Sequence, residues 1–142
     1  MTTATEIKTA PALNSATIRL LDKMTRPIIE RLWNADTAPR RALNAALQIA
    51  NAMDFGDVGC IADAREKAAT AASAANIDAY YGGVSDPRTI AAGMAHNIAQ
   101  AARSISLAAT CTTIVAAQCA DDAIAKSVAV IDAIARIRGA GA

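Results

Sequence analysis

Large apolar residues recur along the first third of the chain at intervals of three and four positions, the spacing of one helix face. A capping residue, Asn14 or Ser15, precedes the first stripe. The stripe consists of Ile18, Leu21, Met24, Ile28 and Leu32. Pro27 interrupts it, and a proline inside a helix removes one amide hydrogen bond and collides with the preceding turn. The pattern predicts either a kink near Pro27 or a second helix that starts there with Thr25 as its cap.

Two further helices are predicted in the middle of the chain. One begins at Asp36 or Thr37, has Pro39 in its first turn, and ends in the loop 54–59, which is rich in glycine and aspartate. The other covers about residues 60–76, and its repeating face is almost entirely small. That face consists of Ile61, Ala64, Ala68, Ala71 and Ala75. Because alanines let a neighbouring helix approach closely, we expect the bundle to pack around this third helix.

The clearest helix start in the chain is Ser85-Asp86-Pro87, a capping side chain followed by proline in the first turn. The helix after it extends to about residue 109. Its apolar stripe consists of Ile90, Met94, Ile98, Ala101, Ile105 and Ala108. The β-branched segment 110–115 either ends this helix or lies within a continuous one.

Asp121 or Asp122 is the predicted cap of the last helix. The residues predicted to face inward are Ile124, Val128, Ile131 and Ile134. On the outer face, Asp122 and Lys126 stand four positions apart, as do Asp132 and Arg136, so both pairs are predicted to form ion pairs.

No stretch alternates apolar and polar residues as a half-buried strand does, and 38 of the 142 residues are alanine, the strongest helix former. We therefore predict an all-α fold, a single antiparallel bundle of five to six helices over residues 15–138. Residues 1–14 are predicted to be a flexible N-terminal tail, and residues 139–142 a C-terminal tail. A chain of this length buries enough surface to fold without disulfides or metal ions.

Charge and cysteine content narrow the function classes. A net charge of +1 gives no strong field for nucleic acid or for an anionic membrane, and no segment is long and apolar enough to span a membrane. The three cysteines, Cys60, Cys111 and Cys119, lack the spacing of metal ligands and predict small buried residues in a reducing compartment. Because the N terminus lacks the pattern of a secretion signal, we predict a cytoplasmic protein.

No residue pattern typical of an enzyme occurs in the sequence. His96 is the only histidine, and its place on the polar side of a helix predicts a surface residue rather than a catalytic base. The carboxylates Asp54, Asp57, Asp63 and Glu66 lack the spacing of a calcium loop and are predicted to cap helices and to face solvent. We therefore predict no catalytic residue, no cofactor and no metal site.

The aromatic residues lie at or near predicted helix ends, where tyrosine and tryptophan can anchor a protein partner. Trp33 and Phe55 either plug the ends of the bundle or serve as such anchors. Tyr80 and Tyr81, beside Gly82-Gly83, have the same two interpretations. The candidate partner-binding residues are Asp54, Phe55, Asp57, Tyr80 and Tyr81.

Three parts of the chain resemble a known family. They are Arg26-Pro-Ile-Ile-Glu30 leading through Ala38-Pro-Arg-Arg-Ala-Leu43, then Ala64-Arg-Glu-Lys-Ala-Ala-Thr-Ala-Ala72, and then Asp86-Pro-Arg-Thr-Ile-Ala-Ala92. This pattern is similar to the small alanine-rich helical immunity proteins of bacterial polymorphic toxin systems. The resemblance implies a cytoplasmic inhibitor that binds a cognate toxin and covers its active surface, and it carries no functional residue over to this chain.

The sequence as a whole predicts a non-catalytic binding protein, an immunity-type inhibitor of a toxin, which binds neither nucleic acid nor membrane. The alternative is another interaction protein, such as a phage or mobile-element inhibitor, or a helical adaptor that forms a homo-oligomer through an alanine-lined face. A third hypothesis is an enzyme that uses the carboxylates between Asp54 and Glu66.

Overall fold

A computed structural model of the chain describes residues 14–34, 36–81, 86–110 and 114–139. Within these ranges the chain forms five α-helices and no β-strand, so the predicted all-α bundle is confirmed. The helices are α1 (Ser15–Leu32), α2 (Ala38–Phe55), α3 (Val58–Tyr81), α4 (Pro87–Thr110) and α5 (Ile114–Gly139). Residues 1–13 and 140–142, which make up most of the two predicted tails, lie outside the described residues.

The first helix, α1, continues through Pro27 as one element. Its cap is Asn14, whose side-chain oxygen accepts the N–H of Ala16 at 3.0 Å. Thr25 lies in the interior of the helix, where its hydroxyl donates to the carbonyl of Leu21 at 2.8 Å. The alternative in which Thr25 caps a second helix is therefore wrong.

The third helix, α3, is longer than the sequence predicted. It begins at Val58 and continues to Tyr81, past the expected end at residue 76. The reason is that the strong helix-ending signal, the glycine pair, comes only after Tyr81. The small face is buried as expected at Ile61, Ala64, Ala68 and Ala75, whereas Ala71 is half-buried.

The centre of the bundle is α4, which packs against each of the other four helices. Its predicted stripe is buried from Ile90 to Ile105, and a second face made of alanine is buried as well. That second face consists of Ala91, Ala92, Ala95, Ala99 and Ala102. α3 packs mainly on α2 and α4, so the expectation that the bundle surrounds its third helix is wrong. The buried alanines beside the large apolar stripe widen the buried face of α4, so that this helix can pack against four others.

The chain reverses between α4 and α5, so the two are separate helices. The hydroxyl of Ser104 on α4 donates to the carboxylate of Asp122 on α5 at 2.6 Å. In one continuous helix these residues would stand about 27 Å apart. Because α5 begins at Ile114, Asp122 lies in its interior and the predicted cap at Asp121 or Asp122 is wrong.

The buried face of α5 also differs from the predicted one. The residues buried on it are Ala123, Ser127, Val130, Ala133, Ile134 and Ile137, whereas Ile124, Val128 and Ile131 are half-buried. The small side chains at 123 and 127 allow α5 to approach α4 closely, which a face of large residues would not permit. The predicted ion pair between Asp122 and Lys126 is confirmed at 2.9 Å.

Candidate functional site

Three of the five candidate residues lie where α2 meets α3: Asp54 and Phe55 end α2, and Asp57 lies in the turn. Gly56 follows the last residue of α2 and caps it: its φ of 82° lies in the left-handed region, and its N–H donates to the carbonyl of Ala52 at 2.9 Å. Asp57 caps α3, since its carboxylate accepts the N–H of Cys60 at 3.0 Å. The turn is therefore fixed from both sides, and we call it the α2–α3 corner (residues 54–58).

Two apolar side chains of the α2–α3 corner are exposed to solvent. Phe55 is 79% exposed and Val58 is 69% exposed. Phe55 is therefore not a plug for the end of the bundle. Trp33 is half-buried and packs against the hydrophobic core, so it covers an end of the bundle. Its indole N–H donates to the carbonyl of Arg88 at 3.0 Å, and the Arg88 guanidinium lies 4.3 Å from the ring centroid. The sequence left both interpretations open for these two residues, and the structure separates them.

The Asp54 carboxylate is occupied by partners on α1. The Ser15 hydroxyl donates to one carboxylate oxygen, and the Arg19 guanidinium pairs with the other, each at 2.5 Å. The hydrogen bond from Ser15 and that from Arg19 hold the pKa of Asp54 below its ordinary value, so this carboxyl stays charged. Asp54 thus ties the start of α1 to the end of α2, and Asp57 caps its own helix.

Tyr80 and Tyr81 stand at the opposite end of α3 from the α2–α3 corner. Their backbone forms the last turn of a helix of 24 residues, which is about 35 Å long. Their side chains lie outside the described residues. The structure therefore divides the five candidate residues between two ends of the bundle.

His96 and the cysteines differ from expectation. His96 is half-buried, and its Nδ1 lies 2.8 Å from the carbonyl oxygen of Ala72. Because a carbonyl can only accept, Nδ1 carries the hydrogen and joins α4 to α3, so the prediction of a surface histidine is wrong.

The cysteines were predicted to be buried. Cys60 is exposed instead, Cys119 is half-buried, and Cys111 lies outside the described residues.

The carboxylates that follow the corner do not converge on a site. Asp63 and Glu66 are exposed on α3. Across the described ranges, no group of three or more His, Cys, Asp or Glu side chains is placed to hold a metal ion. None of the helices in those ranges combines the length and the apolar character needed to cross a membrane.

A groove that the sequence did not predict lies between α2 and α3. We call it the α2–α3 groove. It has a volume of about 560 Å³ and is lined by Arg41, Asn44, Ala45, Gln48, Lys67, Thr70, Ala71 and Ala74. The available signal was a polar stripe on α2 at spacings of three and four, opposite its apolar stripe. Such a stripe predicts a solvated face, and only the position of α3 makes it the wall of a groove.

A smaller groove of about 440 Å³ lies between α3 and α4. Its arginines already have partners within the chain. Arg65 donates to the hydroxyl of Ser106 at 3.3 Å, and Arg103 donates to the side-chain oxygen of Gln100 at 2.7 Å. Arg103 therefore makes a contact within α4, and Arg65 joins α3 to α4.

Comparison of the chain with known protein families, with curated proteins and with solved structures finds no match.

Proposed function

We propose that this chain is a non-catalytic binding protein that inhibits a toxin by direct protein contact, in the manner of an immunity protein. The observation that carries the proposal is Phe55, which is 79% exposed on a turn whose backbone is fixed by hydrogen bonds. A partner that covers an exposed phenylalanine gains about 2 kcal/mol from its burial. Aromatic anchors of this kind dominate the energy of many protein interfaces.

Val58 supports the same interpretation, because it extends the apolar surface to the other side of the turn. Gly56 and Asp57, between the two side chains, hold the backbone in one conformation. A surface that is already ordered loses little conformational entropy when a partner binds. The α2–α3 corner is thus suited to rigid docking.

The two corner carboxylates make a smaller direct contribution in this proposal. Asp54 is paired with Arg19 and Asp57 caps α3, so charge reversal at either position would disturb contacts within the chain. Variants of Phe55 and Val58 leave those contacts in place. They therefore separate loss of binding from loss of folding.

The experiment is co-expression with a candidate toxin chosen from the genes that neighbour the gene of this chain, with growth of the host cell as the readout. We expect the wild-type chain to restore growth and the double variant Phe55→Asp, Val58→Asp to restore it poorly. Affinity of the purified pair should fall about 30-fold, the effect of losing one anchor worth about 2 kcal/mol. Ala135→Asp, at an exposed position on α5, is the matched control. Undiminished toxicity in the presence of the wild-type chain would contradict the proposal.

Light scattering distinguishes the proposal from a self-associating adaptor. We expect a monomer mass of 14.5 kDa for the isolated chain and a larger complex only when the toxin is added. A stable dimer that the Phe55 and Val58 variants dissociate would assign the corner to self-association instead.

A further inference from the structure

The α2–α3 groove is bounded by two exposed rows of side chains. On α2 the row is Arg41, Asn44 and Gln48, and on α3 it is Lys67 and Thr70. Successive members of each row are three or four residues apart, so each row follows one face of its helix. Together the rows form the walls of a channel parallel to both helices.

The floor of the groove is made of alanine. Ala45 is buried at the base of α2, and Ala71 is half-buried at the base of α3. Side chains this small allow another helix to come within the short interaxial distance of close helix packing, about 8 Å. An elongated occupant with small residues on its contact face therefore fits this groove.

Both charged residues that line the groove are basic. Lys67 has no ion pair or hydrogen bond among the described residues. One guanidinium nitrogen of Arg41 donates to the backbone carbonyl of Asp36 at 2.7 Å and lies 3.5 Å from the Asp36 carboxylate. The Asp36 carboxylate is fully exposed, so this ion pair contributes little and Arg41 keeps its positive charge at the groove. Because no carboxylate lines the groove, its charge favours an acidic occupant.

Large exposed apolar side chains stand near the two ends of the groove. Phe55 follows Gln48 by seven residues on α2, and Ile77 follows Thr70 by seven residues on α3, so each lies nearly on the face of its row. Phe55 is 79% exposed and Ile77 is 56% exposed. Since the short turn at 56–57 makes the helices antiparallel neighbours, these two residues lie at opposite ends of the groove.

We infer that the α2–α3 groove binds an amphipathic helix of a partner protein, with carboxylates facing Arg41 and Lys67. In the antiparallel arrangement Arg41 stands about level with Ala74, seven residues from Lys67, so the backbone positions of the two basic residues are about 10 Å apart along the groove. A helix matches this separation with acidic residues at positions i and i+7. Small residues between them would cover the alanine floor, and large apolar residues beyond them would meet Phe55 and Ile77.

A negative charge on α3 limits which residues of the partner helix can lie near one end of the groove. Asp63 precedes Lys67 by one turn and stands toward the Phe55 end. A third carboxylate of the partner is unfavourable there, whereas an apolar or basic residue is acceptable. The inference rests on the proposed function only in naming the partner, because the helix would belong to the toxin.

The test uses labelled helical peptides of about 20 residues and fluorescence anisotropy. One peptide has Glu at i and i+7, a second has Lys at both positions, and a third has the composition of the first with its two Glu residues on opposite faces. We expect the first peptide to bind about tenfold more tightly than the second, from about threefold for each exposed ion pair. The preference should weaken as salt is added.

Charge reversal of the two basic residues in the groove is the decisive test. Arg41→Glu with Lys67→Glu should make the Lys peptide the tighter ligand. The matched control is Lys23→Glu with Arg31→Glu, two exposed positions on α1, which should leave the preference for the Glu peptide unchanged. Far-UV circular dichroism on each variant shows that the helices are intact.

Equal binding of the three peptides, or an unchanged preference in the groove variant, would overturn the inference. A dimer that the groove variant dissociates would assign the groove to a second copy of the chain instead. If the groove variant still neutralises the toxin while the Phe55 and Val58 variant does not, the groove inference fails and the proposed function stands. If the peptide preferences hold but the wild-type chain does not neutralise the toxin, the proposed function fails and the groove inference stands.

Discussion

Ser104 and Asp122 join the central helix α4 to α5 through a hydrogen bond of 2.6 Å between hydroxyl and carboxylate. Lys126 donates to the other oxygen of the same carboxylate at 2.9 Å. Partial burial opposes ionisation of Asp122, but the hydrogen bonds from Ser104 and Lys126 outweigh it and lower its pKa. A charged carboxylate therefore adds a polar contact to the apolar packing of α5 against α4.

Replacement of Ser104 by alanine should destabilise the fold. Ser104→Ala removes the donor to Asp122 with little change in volume, and we expect a loss of about 1 kcal/mol in the free energy of unfolding. Thermal unfolding followed by circular dichroism measures it. Ser73→Ala, at an exposed position on α3, is the control and should have no measurable effect.

The effect of Ser104→Ala should depend on pH. Because the folded-state pKa of Asp122 is lowered, its contribution is present above the unfolded-state pKa of about 3.9 and is lost as pH falls below that value. The difference in melting temperature between wild type and variant should be full at pH 6 and should shrink toward pH 3. A difference that persists unchanged at pH 3 would show that the carboxylate is not the partner that matters.

Replacement of Gly56 and of Gly93 by alanine should change the free energy of unfolding in opposite directions. Gly56 has a φ of 82°, and a Cβ there would meet no atom within 4 Å, so Gly56→Ala should cost about 1 kcal/mol through the backbone alone. Gly93 lies inside α4, where a Cβ would make an ordinary contact of 3.9 Å with the Cβ of Ala79. Gly93→Ala should stabilise by about 0.5 kcal/mol. Urea unfolding of both variants tests the pair.

The buried alanines of α3 should not tolerate larger side chains. Ala68 is fully buried, so Ala68→Leu should cost about 2 kcal/mol by overpacking the contacts with α2 and α4. Ala62 is exposed on the same helix, and Ala62→Leu should change stability by less than about 0.5 kcal/mol. If both variants unfold at the wild-type urea concentration, α3 is not packed as described.

The bond between His96 and Ala72 should contribute to stability through Nδ1. His96→Ala should lower the free energy of unfolding by about 1 kcal/mol. The amide nitrogen of asparagine lies close to the position of Nδ1, so His96→Asn should recover part of the loss. Thermal unfolding of the two variants at pH 7.5 compares them, and an asparagine variant no more stable than the alanine variant would rule out the bond.

Several helix starts were predictable because the signals are local. Asn14 caps α1, and Pro39 lies in the first turn of α2, as predicted. Asp86 opens α4, where its carboxylate accepts the N–H of Arg88 at 2.9 Å. The start of α5 was misplaced because Asp122 has the residue type of a cap, while its actual role is a contact with a different helix.

The candidate site was predictable only in part. The sequence 54–57 identified the corner, because glycine and aspartate there mark a helix end and a cap. Whether Phe55 or Trp33 covers an end of the bundle depends on what stands opposite each ring. Arg88 stands opposite Trp33, and it is 55 residues away in sequence.

The sequence by itself determined that the chain is an α-helical bundle and where α1, α2 and α4 begin, because caps, prolines and apolar stripes act within a few residues. Only the tertiary structure decided that α4 is the centre, that Phe55 is exposed, and that α2 and α3 form a basic groove. The physical reason lies in alanine. Its side chain is so small that burial and exposure differ little in energy, so its position along the chain does not reveal which face another helix covers.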